Sequence, residues 1–320
     1  MKRPLSRVLD IVGPVLGLLL VIGLFSLKAE IRDSFLTVRN FKFIGTQTVI
    51  VAVGALGMTM IIVSAGIDLS VGSVIALTGV VAAGVMKAGH SPALAIAAAM
   101  LAGGVIGLIN GSLISLLKIT PFIITLGMLG IARGAAKWLA SEQTVSYPPS
   151  WINELMAPLP KAHWMIVAPG LWLAVFLAII MAIVMRNTVF GRHIFAIGSN
   201  ESTAILCGIN VRLVKPLIYA SAGLLFGLSG LLQLARLREG DPTSAVGLEL
   251  DIIAAVVIGG ASLSGGTGSI FGSMVGALIM AVLRNGSQQM GWPTYMQEII
   301  IGAVIIAAVT LDRFRHGAAR

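Results

Sequence analysis

The sequence contains very little charge. Asp, Glu, Lys and Arg make up only 11% of its 320 residues, whereas soluble domains carry about a quarter, and hydrophobic residues make up 57%. A folded chain of this composition cannot cover its surface with polar side chains, which excludes an ordinary soluble domain. The composition therefore predicts an all-α polytopic membrane protein in which residues 1–320 form a single transmembrane domain.

Cysteine and metal-ligand patterns are also scarce. The single cysteine, Cys207, cannot form an internal disulfide, and the four histidines are too dispersed to suggest a site. We therefore expect no metal and no cofactor. The formal net charge of +9 does not indicate a nucleic-acid partner, because the basic residues are scattered between apolar stretches and form no cluster.

Two kinds of chemistry have no signature in the chain. There is no G-x-x-x-x-G-K-[ST] loop with which to bind ATP, and no acid–base pattern within the apolar stretches indicates an ion relay. Glu249 and Asp251 stand at the start of an apolar stretch, where helix capping is the expected role. Arg133 remains a candidate functional residue. We therefore expect a protein that is not an enzyme.

Hydrophobic runs of about 20 residues predict about ten transmembrane helices, some of them short or broken. The predicted spans lie near residues 11–27, 44–63, 70–86, 92–117, 121–140, 167–186, 216–235, 250–262, 268–283 and 294–311. Small residues at every fourth position form two ridges, which predict close helix contacts, either within the subunit or at a dimer seam. These ridges are Ala99, Gly103, Gly107 and Gly111, and Gly268, Gly272 and Gly276.

The charges between the spans predict the orientation of the chain. An even number of spans places both termini on one side, and cytoplasmic loops carry an excess of Lys and Arg. The basic residues on the side of the termini are Lys2, Arg3, Arg7, Arg186, Arg192, Arg212, Lys215, Arg313, Arg315 and Arg320. The tryptophans fall on the other side, as in an interfacial belt: Trp138, Trp151, Trp164, Trp172 and Trp292. We expect cytoplasmic termini and an uncleaved first span.

An isolated carboxylate lies in the stretch Gly66–Ser73. Asp68 is the only charged residue between Lys42 and Lys87, and a lone carboxylate among apolar residues is costly in a low-dielectric setting. One interpretation is that Asp68 and Ser70 cap the helix that follows. The other is that two spans meet here in a tight cytosolic hairpin that moves during a transport cycle.

The segment 187–215 is too polar to span a membrane. Ser199 or Asn200 is predicted to begin a short helix in it, and Gly208 is predicted to end that helix. The segment by itself is equally consistent with a docking surface for a partner and with a helix that lies on the membrane.

Four stretches of the sequence resemble one family of membrane proteins. They are Gly66–Ser73 (GIDLSVGS), Thr120–Met128 (TPFIITLGM), Ala196–Ile209 (AIGSNESTAILCGI) and Gly259–Ser269 (GGASLSGGTGS). In this combination they closely resemble the permease subunits of ribose-type sugar ABC importers, from about residue 40 to 311. The related branched-chain amino acid permeases usually match Gly66–Ser73 less well.

The resemblance implies a single transmembrane permease domain that translocates a sugar of the pentose or hexose type by alternating access. The partners it implies are cytosolic ATPase subunits that hydrolyse ATP on a separate chain, a periplasmic sugar-binding protein, a second permease copy (identical or different) and membrane lipids. It also implies that the protein lies in the bacterial inner membrane.

The resemblance also implies roles for particular residues. The coupling loop that sits in a cleft of the ATPase corresponds to the segment that begins at Asn200. The family's Glu-x-x-Ala-x-x-x-Gly-Ile pattern is matched there by Glu201, Ala204, Gly208 and Ile209. Three arginines near span ends could pair with acids on the binding protein, or equally lie at lipid headgroups: Arg236, Arg238 and Arg284. Polar residues within spans could line the sugar path, or equally bond a helix backbone: Thr46, Gln47, Thr59, Asn110 and Thr125.

Two alternatives remain open at this level. A secondary transporter or channel would act without an ATPase. A permease of the same architecture could instead carry a branched-chain amino acid or a nucleoside.

Overall fold

The computed structural model describes residues 4–160 and 166–317, and over these ranges the chain is a bundle of α-helices without a strand. The α-helices of these ranges are α1 (Pro4–Ser26), α2 (Ala29–Phe35), α3 (Val38–Val63), α4 (Val71–Lys87), α5 (Pro92–Leu117), α6 (Pro121–Leu139), α7 (Pro169–Asn187), α8 (Val189–Ser199), α9 (Glu201–Leu206), α10 (Val211–Leu237), α11 (Leu248–Ile258), α12 (Ile270–Gln289) and α13 (Thr294–Gly317). A 3₁₀-helix covers Trp151–Met156.

Six of the described helices are long and apolar enough to cross a membrane, namely α3, α5, α6, α7, α10 and α12. The count becomes seven if α1 and α2, which bend by 118° at their junction, form one broken span. Each of the ten predicted stretches coincides with a helix, but the number of ten spans is not confirmed. The reason is length: the 17 residues of α4 extend about 25 Å, less than the roughly 30 Å of a hydrocarbon core.

The helix α3 forms the centre of the bundle. Its most apolar window is 94% buried, whereas the corresponding window of α7 is only 17% buried. The difference follows from the sequence of α3, which is apolar on every side from Ile44 to Val63 and therefore needs protein neighbours all round. The neighbours that bury it are α7, α10, α11 and α12.

The two ridges of small residues are contacts within this subunit. A Cβ on Gly103 would collide with the carbonyl oxygen of Gly223, and one on Gly107 with that of Tyr219, so α5 and α10 pack backbone against backbone. Likewise, a Cβ on Gly276 would collide with the Ala255 carbonyl oxygen on α11. The predicted close contacts are thus confirmed, and the neighbours are helices of the same chain.

The bundle has two distinct ends. One end, here called the α9 end, gathers α8, α9, the α3–α4 turn and the α11–α12 turn, and the Gly266 amide donates to the Val63 carbonyl at 2.9 Å there. At the opposite end, Val145 and Gly240 exchange backbone hydrogen bonds between two long connections. Trp138, Trp151 and Trp172 are exposed in or beside the connections of the opposite end, as predicted, while Trp164 lies outside the described residues.

Candidate functional site

A polar cavity lies inside the bundle, towards its opposite end. It has a volume of about 190 Å³ and is bounded by α3, α10, α11 and α12. We call it the polar pocket. Its polar lining consists of Gln47, Gln233, Arg236, Asp251, Arg284 and Gln288.

An ion pair forms one wall of the polar pocket. Arg284 donates to the Oδ2 atom of Asp251 from its Nε atom at 2.7 Å and from its Nη2 atom at 2.6 Å. The Asp251 side chain is 1% exposed, so the pair holds a carboxylate out of water. Its second oxygen, Oδ1, is buried and accepts no hydrogen bond from any residue that the structure describes. The expectation that Asp251 caps a helix is therefore wrong: it pairs across to α12 instead.

Two glutamines complete the wall. The Oε1 atoms of Gln47 and Gln233 are both buried and have no hydrogen-bond partner within residues 4–160 and 166–317. A buried acceptor without a donor costs about 1–3 kcal/mol, so three such acceptors around one cavity are unusual. The wall of the polar pocket thus contains three buried acceptors without a described donor, together with Arg236 and Arg284.

The pocket exists because the chain between α10 and α11 turns back into the bundle. A Cβ on Gly240 would meet Ala83 near the end of α4, and one on Gly72 at the start of α4 would meet the Ala245 carbonyl oxygen at 2.7 Å. The segment therefore runs along α4, from beside Ala83 to beside Gly72. The short helix α11 then begins inside the bundle, as the half-helices of broken spans do.

Arg133 holds this returning segment in place. Its Nη1 atom, on α6, donates to the carbonyl oxygens of Pro242 at 2.8 Å and Ser244 at 2.7 Å. These carbonyls belong to irregular backbone and have no helical partner to satisfy them. Arg133 therefore has a structural role that positions the start of α11, and with it Asp251.

Asp68 lies in the buried turn between α3 and α4. Its Oδ1 atom accepts hydrogen bonds from the Ser70 amide at 2.8 Å and the Ser70 hydroxyl at 2.5 Å, and Asn110 donates to that hydroxyl oxygen at 3.2 Å. Ser70 is the N-cap residue of α4, but its side chain caps no helix amide. A turn joins the two helices here, and Asp68 satisfies the amide of the N-cap residue. Capping by Ser70 itself is wrong, because its hydroxyl is engaged with Asp68 and Asn110.

The structure brings only one of the five candidate path residues to the polar pocket, namely Gln47. Thr46, Thr59 and Thr125 each donate to the carbonyl four residues earlier in their own helix, at 2.6 to 3.0 Å. Asn110 supports the Asp68 turn instead. The three threonines thus have the backbone-bonding role that the sequence left open, whereas Asn110 bonds the side chain of Ser70.

Sequence reasoning did not find Gln233 and Asp251 as site residues. Asp251 was visible as a carboxylate within an apolar stretch, which was the available signal. Its partner Arg284 is 33 residues away, and no spacing rule joins the two. Nothing in the sequence indicated a site at Gln233, because a single glutamine in a long apolar helix is expected to serve in helix packing.

The predicted short helix at the α9 end is present. The Oδ1 atom of Asn200 accepts the Thr203 amide at 2.8 Å and thereby caps α9, as predicted. Gly208 follows the helix with φ of +85° and has open space where a Cβ would be. Glu201 forms an ion pair with Lys215 at 2.7 Å, which ties α9 to α10.

The outward surface of α9 is apolar. Ile205 and Leu206 are 55% and 88% exposed, and Ala204 faces inward and is buried. Beside them an open cleft of about 810 Å³ separates α9 from the α5–α6 turn. Ile209 lines this cleft. The α9 helix therefore presents two large apolar side chains that nothing in the described chain covers.

The helix α8 connects α9 to two turns of the bundle. A Cβ on Gly198 would collide with the Val63 carbonyl oxygen and lie 2.7 Å from the Gly266 amide nitrogen. The end of α8 is therefore in backbone contact with the end of α3 and with the α11–α12 turn. A displacement of α8 must displace both of them.

Of the three arginines predicted to dock the binding protein, Arg238 lies outside the polar pocket. It ends α10 with φ of +64° and is exposed. Arg236 is exposed at the pocket, and Arg284 is paired with Asp251, so neither side chain is a simple surface charge.

Comparison with known proteins gives consistent matches. The family described as branched-chain amino acid transport system / permease component matches residues 40–309. The ribose import permease protein of Escherichia coli (strain K12) is 36% identical over 296 residues, which cover 92% of each chain. The L-arabinose ABC transporter permease protein of Azospirillum brasilense is 34% identical over 93% of this chain and 86% of its own.

A third relative extends further along the chain. The D-allose transport system permease protein of Escherichia coli (strain K12) is 36% identical over 98% of this chain and 95% of its own. No solved structure matches the chain. The resemblance to ribose-type permeases found in the sequence motifs is confirmed by these relatives.

Proposed function

Because the chain belongs to the family of branched-chain amino acid transport system permease components, we propose that it is the membrane-spanning permease subunit of an ABC importer for a sugar of the pentose or hexose type. Its relatives over more than nine-tenths of the chain are named for ribose, L-arabinose and D-allose. Alternating access in such a subunit requires no covalent chemistry, only two packings of the same helices.

We propose that ATP hydrolysis takes place on a separate ATPase subunit and that α9 is the element that meets it. The observation that carries this proposal is the exposed apolar surface of Ile205 and Leu206 on a well-capped helix. Residues of this kind normally lie in an interface, since large exposed apolar patches mark contact sites. Glu201, Gly208 and Ile209 would then shape the contact.

The motion of α9 would reach the bundle through α8. Since Gly198 is in backbone contact with both the α3 end and the α11–α12 turn, closure of two ATPase subunits would shift these turns together. The turn that contains Asp68 follows directly on α3. Repacking of the α9 end would then open or close the path between the ends.

The remaining features of the importer are proposed with this function. With about ten spans, of which α4 and α11 would be short, both termini would lie on one side, and we propose that this side is the cytoplasm and that the protein lies in a bacterial inner membrane. The α9 end then faces the cytosolic ATPase, and the opposite end faces a periplasmic sugar-binding protein, for which Arg236, Arg238 and Arg284 are the docking candidates. A second permease copy, identical or different, completes the membrane part.

The decisive experiment for the proposed function is co-purification of an ATPase with this chain from mild detergent, combined with sugar uptake by cells. Glu201→Lys and Gly208→Trp both alter the α9 surface. Glu142→Lys and Gly89→Trp are matched controls, because Glu142 is exposed at the opposite end and Gly89 has the same positive φ (+81°) and open space.

The expected result is that a P-loop ATPase co-purifies with the wild type and with both controls, and is lost from both α9 variants together with uptake. Uptake by reconstituted vesicles that contain this chain alone would contradict the proposal and favour a secondary transporter or channel.

A further inference from the structure

The polar pocket has the chemistry of a binding site for a neutral polyhydroxylated ligand. Three of its acceptor atoms, Asp251 Oδ1, Gln47 Oε1 and Gln233 Oε1, are buried and lack a donor within the described chain. A carboxylate oxygen can only accept, so Asp251 in particular needs a donor from outside the described chain. Hydroxyl groups are such donors, and a sugar carries several of them on a small ring.

The same atoms argue against an anionic ligand. Arg284 already places two N–H groups on Asp251, so its charge is largely neutralised. A phosphate or carboxylate would bring further acceptors, without donors, towards a wall that already has three unmet acceptors. Arg236 and Gln288 can instead donate to hydroxyl oxygens, which accept as well as donate.

The size of the pocket fits one monosaccharide. Its volume of about 190 Å³ is below the range of drug-sized pockets. It corresponds to roughly a dozen water-sized positions, close to the number of non-hydrogen atoms in a pentose or hexose. The apolar side chains of Leu237 and Val246 also line it and are exposed, so they offer a surface for the C–H face of a sugar ring.

We propose that the polar pocket is the sugar-binding site within this permease, with Gln47, Gln233, Asp251 and Arg284 bonding the hydroxyl groups of one monosaccharide. The proposal rests on the proposed function for its substrate class. It assigns Arg284 and Arg236 to the sugar path before any role in docking. The ion pair fixes the Asp251 carboxylate in the wall of the cavity, and the glutamines provide further hydrogen bonds.

The first test measures binding on the purified full-length chain by protection of a thiol. Val246 lines the pocket and is 74% exposed, so Val246→Cys in a Cys207→Ser background places one reactive thiol at its mouth. D-Ribose, L-arabinose and D-allose are added as probes during maleimide labelling. The wild-type Cys207, exposed at the α9 end, is the control thiol.

The expected result is that at least one of the three sugars slows labelling at position 246 fivefold or more and leaves Cys207 unaffected, while ribose 5-phosphate has no effect at either position. Protection by ribose 5-phosphate alone, or by none of the four compounds, would overturn the proposal. This measurement needs no ATPase. If the sugars do not protect the thiol but ATP-dependent uptake is observed, the proposed site is wrong and the proposed function is still supported.

The second test uses transport by the complete importer in cells. Gln47→Leu and Gln233→Leu remove unmet acceptors with little change of volume, and Gln143→Leu is the matched control in an exposed loop of the opposite end. We expect each pocket variant to lower uptake of the transported sugar at least tenfold and to reduce the preference for that sugar over its deoxy analogue. The control should behave as the wild type.

A purely structural role of the glutamines would lower uptake of the sugar and of its deoxy analogue equally. Unchanged preference in both pocket variants would therefore contradict the proposal, whatever the level of folded protein. The amount of co-purifying ATPase should stay within twofold of the wild type, since the α9 end is remote from the substitutions.

Discussion

Single side chains at buried positions determine the most specific features of this protein. Asp68 and Asp251 are both carboxylates in apolar surroundings, yet they are satisfied differently. Asp68 Oδ1 is bonded within its own turn by Ser70, whereas Asp251 bonds Arg284 with one oxygen and has no described partner for the other. The first arrangement stabilises the fold, whereas the second leaves one carboxylate oxygen without a donor, which a ligand can provide.

Replacement of Asp68 tests the first arrangement. Asp68→Ala removes both hydrogen bonds from Ser70 and leaves a buried amide without a partner, which costs about 2 kcal/mol. Asp68→Asn keeps an acceptor oxygen at the same place and should lose less. Thermal unfolding in detergent should show a midpoint lowered by several degrees for Asp68→Ala only.

The control for this prediction is Asp33→Ala. The Asp33 side chain is 96% exposed, so its removal should not change the midpoint. An equal loss of stability in Asp68→Ala and Asp33→Ala would contradict the role of this turn.

Replacement of Arg133 tests how the returning segment is held. Arg133→Ala leaves the carbonyl oxygens of Pro242 and Ser244 without their donors, so the start of α11 should shift and the Asp251–Arg284 pair with it. Sugar uptake should fall at least tenfold. Lys137→Ala, four residues later on the same helix, is the control and should retain uptake. Normal uptake by Arg133→Ala would show that α11 is positioned without it.

At the scale of elements, the helices are joined by glycine contacts that allow backbone to meet backbone. Gly198 joins α8 to the ends of α3 and α11–α12, and Gly103 joins α5 to α10. Other glycines, such as Gly84 and Gly127, have open space around the position of a Cβ. Glycine therefore allows close helix packing at some positions, whereas at others no neighbour requires it.

The substitution Gly198→Ala tests the contact between α8 and the turns. Its Cβ would overlap the Val63 carbonyl oxygen, so α8 must move away, and such overpacking costs about 1–3 kcal/mol. We expect reduced uptake together with a lower unfolding midpoint. Gly84→Ala, in open space inside α4, is the matched control and should stabilise the helix by roughly 0.5–1 kcal/mol. If Gly198→Ala transports as well as Gly84→Ala, α8 does not transmit motion by this contact.

At the scale of the whole molecule, the two sites proposed above lie far apart, with the polar pocket towards one end and the apolar surface of α9 at the other. Between them lie α3, α10 and α12, which are the most buried of the candidate spans. A sugar bound in the pocket would thus be separated from the α9 end by tightly packed helices. Transport then requires repacking of these helices, which the ATPase contact at α9 could drive.

The orientation of the whole chain can be tested with its single cysteine. Cys207 is exposed at the α9 end, so a membrane-impermeant maleimide should label it in inside-out vesicles and spare it in intact cells whose outer membrane is permeabilised. Gln143→Cys in a Cys207→Ser background places a thiol at the opposite end and should show the reverse pattern. Labelling of both thiols from the same side would contradict the proposed topology of both termini in the cytoplasm.

The sequence alone was sufficient for the local features of the fold. Apolar runs located a helix in each predicted span, Asn200 and Gly208 marked the ends of α9, and the glycine ridges marked close packing. These features depend on neighbours within a few residues, so their causes can be read along the chain. The family resemblance likewise came from contiguous motifs.

The tertiary structure alone decided which polar residues meet. Asp251 and Arg284 come from different helices, and Gln47 and Gln233 are 186 residues apart, so only the packing of α3, α10, α11 and α12 brings them to one cavity. The packing also determines that Thr59 bonds its own helix and that Asn110 bonds Ser70 in the Asp68 turn. The physical reason is that a buried polar group takes the nearest free partner in space, and that partner depends on the packing of the whole bundle.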